Sequence, residues 1–375
     1  MTGEDAPLDR EPADDAVVAA PVRAPRKGRG AGGNPDVRYL DTAREAIDDG
    51  WGSADEEPPP LKTSVTLERA KTIITRNDSP DIPFDQSINP FRGCEHGCVY
   101  CYARPAHAYV DLSPGLDFES RLFAKPEAAT LLRAELAKPG YRCSPIALGG
   151  NTDAYQPIER RLRITRGIVE VLAETKHPFT IVTKSSLVER DLDLLAPLAE
   201  LDLVRVYVSV TSLDRELARR MEPRAAAPQR RLETIARLAA AGVPVGVMFA
   251  PIVPALNDHE LEAVLEAAAA AGARAAGYVV LRLPREVNGL FKDWLVQHYP
   301  LRAGRVMSRV RELRGGRENV TTFGERLEGS GLFAKLTAER FRKAFERHGL
   351  DGHRGAPTTR HFTPPRPDGP QLELF

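Results

Sequence analysis

The sequence predicts an α/β protein, a partial (β/α)6 TIM-like barrel with a disordered N-terminal tail and a C-terminal helical extension. Short β-branched runs alternate with longer stretches of helical periodicity. Successive strand midpoints recur every ~25 to 40 residues, the length of one βα unit with a right-handed crossover. Both ends of the 375-residue chain are rich in Pro, Gly and charge and carry no sustained apolar period.

Taken in order, the expected strands are Ser87–Pro90, Pro145–Leu148, Phe179–Thr183, Val204–Val210, Val243–Phe249 and Ala276–Leu281. Between them, Arg163–Thr175 puts Ile164, Ile168, Val171 and Leu172 on one face, and Glu260–Ala271 does so with Leu261, Val264 and Leu265. A closed barrel of eight units needs two more strands. Residues 300 to 350 instead predict helices, Arg302–Arg314 and Ala338–Arg347, the second capped by Thr337. The expected organisation is a disordered tail over 1–60, a barrel core over 61–300, a helical extension over 301–350 and a flexible tail over 351–375. Residues 1 to 20 carry one Arg against six acids, and Arg23, Arg26, Lys27 and Arg29 follow as a basic block. The chain ends in the apolar run Gln371 to Phe375.

Composition removes several classes. Four cysteines in a chain of this length exclude a disulfide scaffold, and no run of ~20 apolar residues is long enough for a membrane span. The start is acidic and lacks the apolar core of a signal peptide, so a cytoplasmic location without membrane association is expected. With 52 Lys+Arg against 52 Asp+Glu, a generic polyanion binder is excluded, while local basic patches are not.

The informative segment is Asn89-Pro-Phe-Arg-Gly-Cys94-Glu-His-Gly-Cys98-Val-Tyr-Cys101-Tyr-Ala-Arg-Pro105, which sets three cysteines at C-x3-C-x2-C just after the first expected strand. Gly93 and Gly97 allow positive φ, so the loop can turn all three sulfurs toward one point. Thiolate ligation points to zinc or an iron–sulfur cluster. A structural zinc needs a fourth ligand, for which Cys143, His96 and His107 are the candidates; a cubane held by three cysteines leaves one iron open for chemistry. The plainer alternatives are buried small hydrophobes or a redox pair.

The spacing, with Tyr100 before the last cysteine, resembles the signature of the radical S-adenosylmethionine (radical SAM) enzymes. The longer text from Ser87 to Pro105, with Thr152-Asp-Ala-Tyr-Gln-Pro-Ile-Glu159 downstream, resembles the spore photoproduct lyase-like, or "DNA repair photolyase-like", branch. This resemblance implies a 4Fe–4S cluster on Cys94, Cys98 and Cys101, with S-adenosylmethionine chelating the fourth iron. It further implies reductive cleavage to a 5′-deoxyadenosyl radical that abstracts hydrogen from a substrate, and an electron donor such as flavodoxin or ferredoxin. By the same resemblance, Gly149 and Gly150 approach the methionine amino group and Asp153 adds a polar contact there. Lys184 pairs with the carboxylate, Ser209 suits the ribose, and Ala250 with Tyr100 flanks adenine.

Each of these has an ordinary alternative. Asp153 caps a helix, Lys184 is a solvated strand end, Ser209 is a strand serine, and Tyr100 is a half-buried core aromatic. Cys143 is the spare thiol that the lyase's hydrogen-donor cysteine would need. It lies at the start of a strand, away from the chemical end of a barrel, and is expected to be structural. Arg224, Arg230 and Arg231 beside Glu222, then Arg282 and Arg285, predict a basic barrel mouth, with more positive charge at Arg305, Arg309, Arg311, Arg314, Arg340, Arg342 and Lys343. Arginines there can hold phosphate, on a nucleic acid or a nucleotide, or the carboxylate of a cofactor or peptide, and their ordinary alternative is an exposed helix face; no residue names the substrate, and nucleic acid is one candidate. The competing function is a zinc-stabilised nucleic-acid-binding protein with a structural cysteine loop.

Overall fold

The computed structural model describes residues 26–41, 60–352 and 355–365. Its strands in chain order are β1 (Ser64–Leu67), β2 (Ile74–Arg76), β3 (Gln86–Ile88), β4 (Phe91–Arg92), β5 (Arg121–Ala124), β6 (Ile146–Leu148), β7 (Phe179–Thr183), β8 (Val204–Ser209), β9 (Val245–Ile252) and β10 (Ala275–Val280). The central sheet runs β10-β9-β8-β7-β6-β3-β2. All its pairings are parallel except the antiparallel β2–β3 edge, which leaves the six parallel strands that the sequence predicts. β2 and β10 stand at opposite edges, so the barrel is open.

The inner strands β8 and β9 are buried at almost every position, because helices cover one face and the barrel interior the other. That two-sided burial is why they read as nearly unbroken apolar runs. The helices Ile164–Glu174 and Leu261–Ala270 bury the residues their periodicity singles out. In the extension, Pro300–Leu313 is helical as expected, but the last helix spans Gly331–Arg347 and Thr337 is buried within it rather than capping it. The longer helix is hidden in sequence because Leu332 and Leu336 face solvent, while Ala334 and Thr337 make the contact face.

Three features depart from expectation. A small sheet, β1-β5-β4, and the edge strand β2 have too few residues to show a period in sequence. Residues 355–365, placed in a flexible tail, lie against the body: Thr358 N–H donates to Asp202 and Thr363 N–H to Thr175, and Phe362 packs edge-on to His177 at 5.1 Å. The apolar end, Gln371 to Phe375, and the acidic block over 1–20 lie outside the described residues.

Within the stretch expected to be disordered, residues 26–41 form a strap across the cysteine loop. The buried Glu119 carboxylate accepts from the N–H groups of Gly30 (3.0 Å) and Ala31 (2.9 Å) and pairs with buried Arg104 at 2.5 Å. Arg29 donates to the carbonyls of Glu119 (2.7 Å) and Leu61 (2.6 Å). The contact is so close that a Cβ on Gly30 would lie 1.7 Å from the Gly97 carbonyl oxygen. At the open side of the barrel, Arg326 of the extension holds Asp81 of the β2–β3 connection, Nε to Oδ2 at 2.7 Å.

Two outcomes follow for stability. Gly30→Ala must lift the strap off Gly97, and we expect a loss of about 2 kcal/mol in urea unfolding together with faster proteolysis near residue 30. Hydrogen bonding from Arg326 lowers the Asp81 carboxyl from 3.8 to about 2. A depressed acid stabilises fully above its unfolded pKa and loses that contribution as pH falls through its folded value. The stability gap between wild type and Arg326→Gln should therefore be constant above pH ~4.5 and shrink toward pH 2.

Candidate functional site

The C-terminal ends of the parallel strands meet the cysteine loop. Gly149 and Gly150 follow β6, Lys184 follows β7, Ser209 ends β8 and Ala250 lies near the end of β9. Gly149 has φ +85°, and a Cβ there would sit 2.6 Å from the Val182 carbonyl oxygen, so the backbone passes where no other residue fits. Sequence reading and structure thus bring every candidate to one end of the sheet.

Within the loop, Gly93 and Gly97 have φ of +74° and +69°, the positive values expected. Cys94 and Cys98 are buried, Cys101 is half-buried, and all three are free thiols. Burial raises Cys94 well above its ordinary value, and the charges of Asp153, Cys98 and Cys101 add to this. Burial likewise pushes Cys98 up to about 12, against the opposing charge of Lys184. The buried sulfurs of Cys94 and Cys98 are a poor place for thiolate charge unless a cationic group sits beside them. That is the donor set of a sulfur-bound metal centre.

The fourth ligands a structural zinc would need are engaged elsewhere. His96 Nδ1 lies 3.3 Å from Asp153, His107 Nε2 lies 2.9 Å from the Arg121 carbonyl oxygen, and Cys143 stands before β6 at the opposite end of the sheet. Burial drops His107 to about 4, consistent with a neutral core histidine. Among the described residues, no three His, Cys, Asp or Glu side chains gather closely enough to hold a single metal ion.

Asp153 braces the strand ends. Its carboxylate accepts from the Thr183 hydroxyl (2.8 Å), the Lys184 N–H (2.8 Å) and the Tyr155 N–H (2.9 Å). Burial alone would raise it, but His96 and these donors hold it at about 2. Lys184 Nζ stands 5.9 Å from the centre of the Tyr100 ring. The Tyr100 hydroxyl donates to buried Glu222, which also accepts from Thr211 Oγ1 (2.6 Å) and pairs with buried Arg231. Arg231 in turn donates to the Ser209 carbonyl at 2.9 Å. Thr211 Oγ1 also lies 3.3 Å from the Ala250 carbonyl oxygen.

Sequence reasoning placed Glu222 and Arg231 at the barrel mouth without their partners, and it missed Glu119, Arg104 and Gln156 altogether. Gln156 accepts from the Glu95 N–H (2.9 Å) and donates to the Gly93 carbonyl (3.1 Å), so one amide holds both sides of Cys94. The segment after Met221 runs beside the loop: Val99 N–H donates to the Met221 carbonyl (3.1 Å) and Arg224 N–H to that of His96 (3.2 Å). Several arginines of the mouth and of the C-terminal helices are charge-compensated, while Arg282 and Arg285 at the mouth have no ion pair among the described residues. Arg224 pairs with Glu95, Arg230 with Glu189, Arg309 with Glu312, Arg311 with Glu318, Arg340 with Glu262, and Arg342 and Lys343 with Glu339.

The model of the Radical SAM superfamily matches residues 88–268. An uncharacterized protein of Mycobacterium tuberculosis is 41% identical over 234 residues, covering 62% of this chain and 68% of that protein. One of Methanocaldococcus jannaschii is 27% identical over 239 residues, covering 64% and 85%. Among solved structures, spore photoproduct lyase complexed with dinucleoside spore photoproduct superposes with a TM-score of 0.56 over 76% of this chain and 80% of that one, at 16% identity.

Removing the Glu222 carboxylate leaves Arg231 charged and unpaired in the interior. Glu222→Ala should cost about 3–5 kcal/mol in denaturant unfolding, and Glu222→Gln less, because the amide keeps an acceptor for Tyr100.

Proposed function

The chain belongs to the radical SAM superfamily, and from that premise we propose that it is an enzyme in which Cys94, Cys98 and Cys101 bind a 4Fe–4S cluster and S-adenosylmethionine occupies the cluster's open iron. When bound, the pair supplies a 5′-deoxyadenosyl radical, by reductive cleavage of the sulfonium, to abstract hydrogen from a substrate. The observation that carries this reading is a loop with three free cysteines, two of them buried, beside the strand ends that carry Asp153 and Lys184.

The chain's own residues divide the remaining work. The ammonium of Lys184, fixed at its backbone by Asp153, would pair with the methionine carboxylate. The backbone at Gly149 and Gly150 would admit the amino group, and Ser209 would serve the ribose. Tyr100, held by Glu222, and Ala250 would flank the adenine. The strap over Gly30 and Ala31 keeps water from the outer side of the loop. An external one-electron donor such as flavodoxin or ferredoxin reduces the centre.

The reaction type stays at the level of radical hydrogen abstraction. A nucleic-acid substrate is the class suggested by the lyase structure with AdoMet and dinucleoside spore photoproduct. The ion pairs of the C-terminal helices argue against a broad polyanion surface there, so recognition would rest on individual groups at the mouth. Cys143, outside the strand ends, is not positioned as a hydrogen donor in this reading.

Anaerobic reconstitution tests the proposal. Wild-type protein should bind about four irons and, once reduced with S-adenosylmethionine, release 5′-deoxyadenosine. Cys98→Ala should lose both together; turnover in that variant would sink the ligand assignment, and a colourless protein with one tight zinc would sink the function.

A further inference from the structure

Beyond the end of β10 three guanidinium groups stand together. Arg282 follows Leu281, Arg314 closes the helix Pro300–Leu313, and Arg326 lies in the short helix Glu325–Glu328. Arg326 is compensated by Asp81. Arg314, itself buried, gives its terminal donors to the carbonyl oxygens of Leu281 (2.8 Å) and Glu325, and its Nε is buried without a partner. Arg282 makes no hydrogen bond or ion pair among the described residues, and its Nε is also buried and unpartnered. The carboxylates these groups feel are Asp81, already shared by Arg326 and the Gly324 N–H, and exposed Glu325.

Charges so placed are costly. Burial lowers Arg282, with Arg326 adding to the effect, and burial followed by the charge of Arg282 brings Arg314 to about 10. The two most deeply buried arginines, Arg104 and Arg231, have carboxylate partners in Glu119 and Glu222. A half-buried fork with no hydrogen-bond partner among the described residues, beside a second positive group, has the charge and donors to receive an anion.

Its position ties the site to the cysteine loop. The Arg282 guanidinium lies 5.6 Å from the ring centre of Tyr102, the residue after Cys101, and the Tyr102 hydroxyl donates to the Gly150 carbonyl. The Tyr102 ring is half exposed.

We propose that Arg282, backed by the charge of Arg314, binds a phosphate group of the substrate beside Tyr102. Phosphate is favoured over carboxylate because Asp81 cancels only one of three guanidinium charges, and a phosphate offers more charge and more acceptor oxygens to the fork. Anion binding at Arg282 stands on its own geometry; that the phosphate belongs to the molecule turned over rests on the function proposed above.

Full-length protein titrated with inorganic phosphate at constant ionic strength, with sodium chloride as the balancing salt, tests this by calorimetry and thermal shift. Wild type should bind saturably, Arg282→Gln should bind about tenfold more weakly or worse, and Arg285→Gln, at an exposed neighbouring arginine, should match wild type. Arg282→Lys, which keeps charge but loses the fork, should fall between and decides the matter if the Gln variant does not fold. Equal binding by Arg282→Gln, or no phosphate effect beyond that of chloride, overturns the site. Acetate binding as tightly as phosphate overturns the phosphate assignment in favour of a carboxylate. Phosphate binding retained by protein that never cleaves S-adenosylmethionine would overturn the earlier reading and leave this one; cleavage without phosphate binding would do the reverse.

Discussion

The cysteine loop holds three thiols out of water, and such a loop keeps one shape only if its own polar backbone is satisfied from outside. Of three buried side chains that hold the loop, Gln156 does this directly and the other two fix its neighbours. Glu119 fastens the strap over Gly97, Gln156 bridges Glu95 and Gly93 around Cys94, and Glu222 takes the Tyr100 hydroxyl. Each acidic member is matched by a buried arginine, Arg104 or Arg231, so that neither carboxylate is left as an uncompensated charge. Loop, strap and strand ends therefore form one interlocked body rather than a flexible motif resting on a barrel.

The open barrel is bounded by segments far apart in sequence. Asp81 and Arg326 join the β2–β3 connection to the extension, and that extension packs Leu313 and Ala334 on β10. The mouth is thus walled by residues whose proximity no local pattern encodes. Many arginines on the described surface find a carboxylate, whereas Arg282 keeps a buried Nε with no partner.

How much of this was legible in sequence depended on range. The central strands showed themselves because burial on both faces forces β-branched runs, as in Val204 to Ser209. Strands of two to four residues such as β4 and β1 cannot show a period. The strap at Arg29 to Ala31 is polar and glycine-rich, the composition of a tail, yet it is ordered because the carboxylate that receives it lies about ninety residues away. Leu332 and Leu336 misled in the opposite sense, being apolar but exposed.

By itself, the sequence determined the donor set and the architecture that presents it. Cysteine spacing and glycine positions are local covalent facts, and the alternation of apolar periods follows from short-range geometry. Only the tertiary structure decided which polar residues serve the site: that Asp153 braces Lys184, that Glu222 belongs to Tyr100, and that Arg282 at the mouth keeps a buried Nε without a partner. Partnership between buried charges is set by distances through space, and those exist only once the strands have been laid side by side.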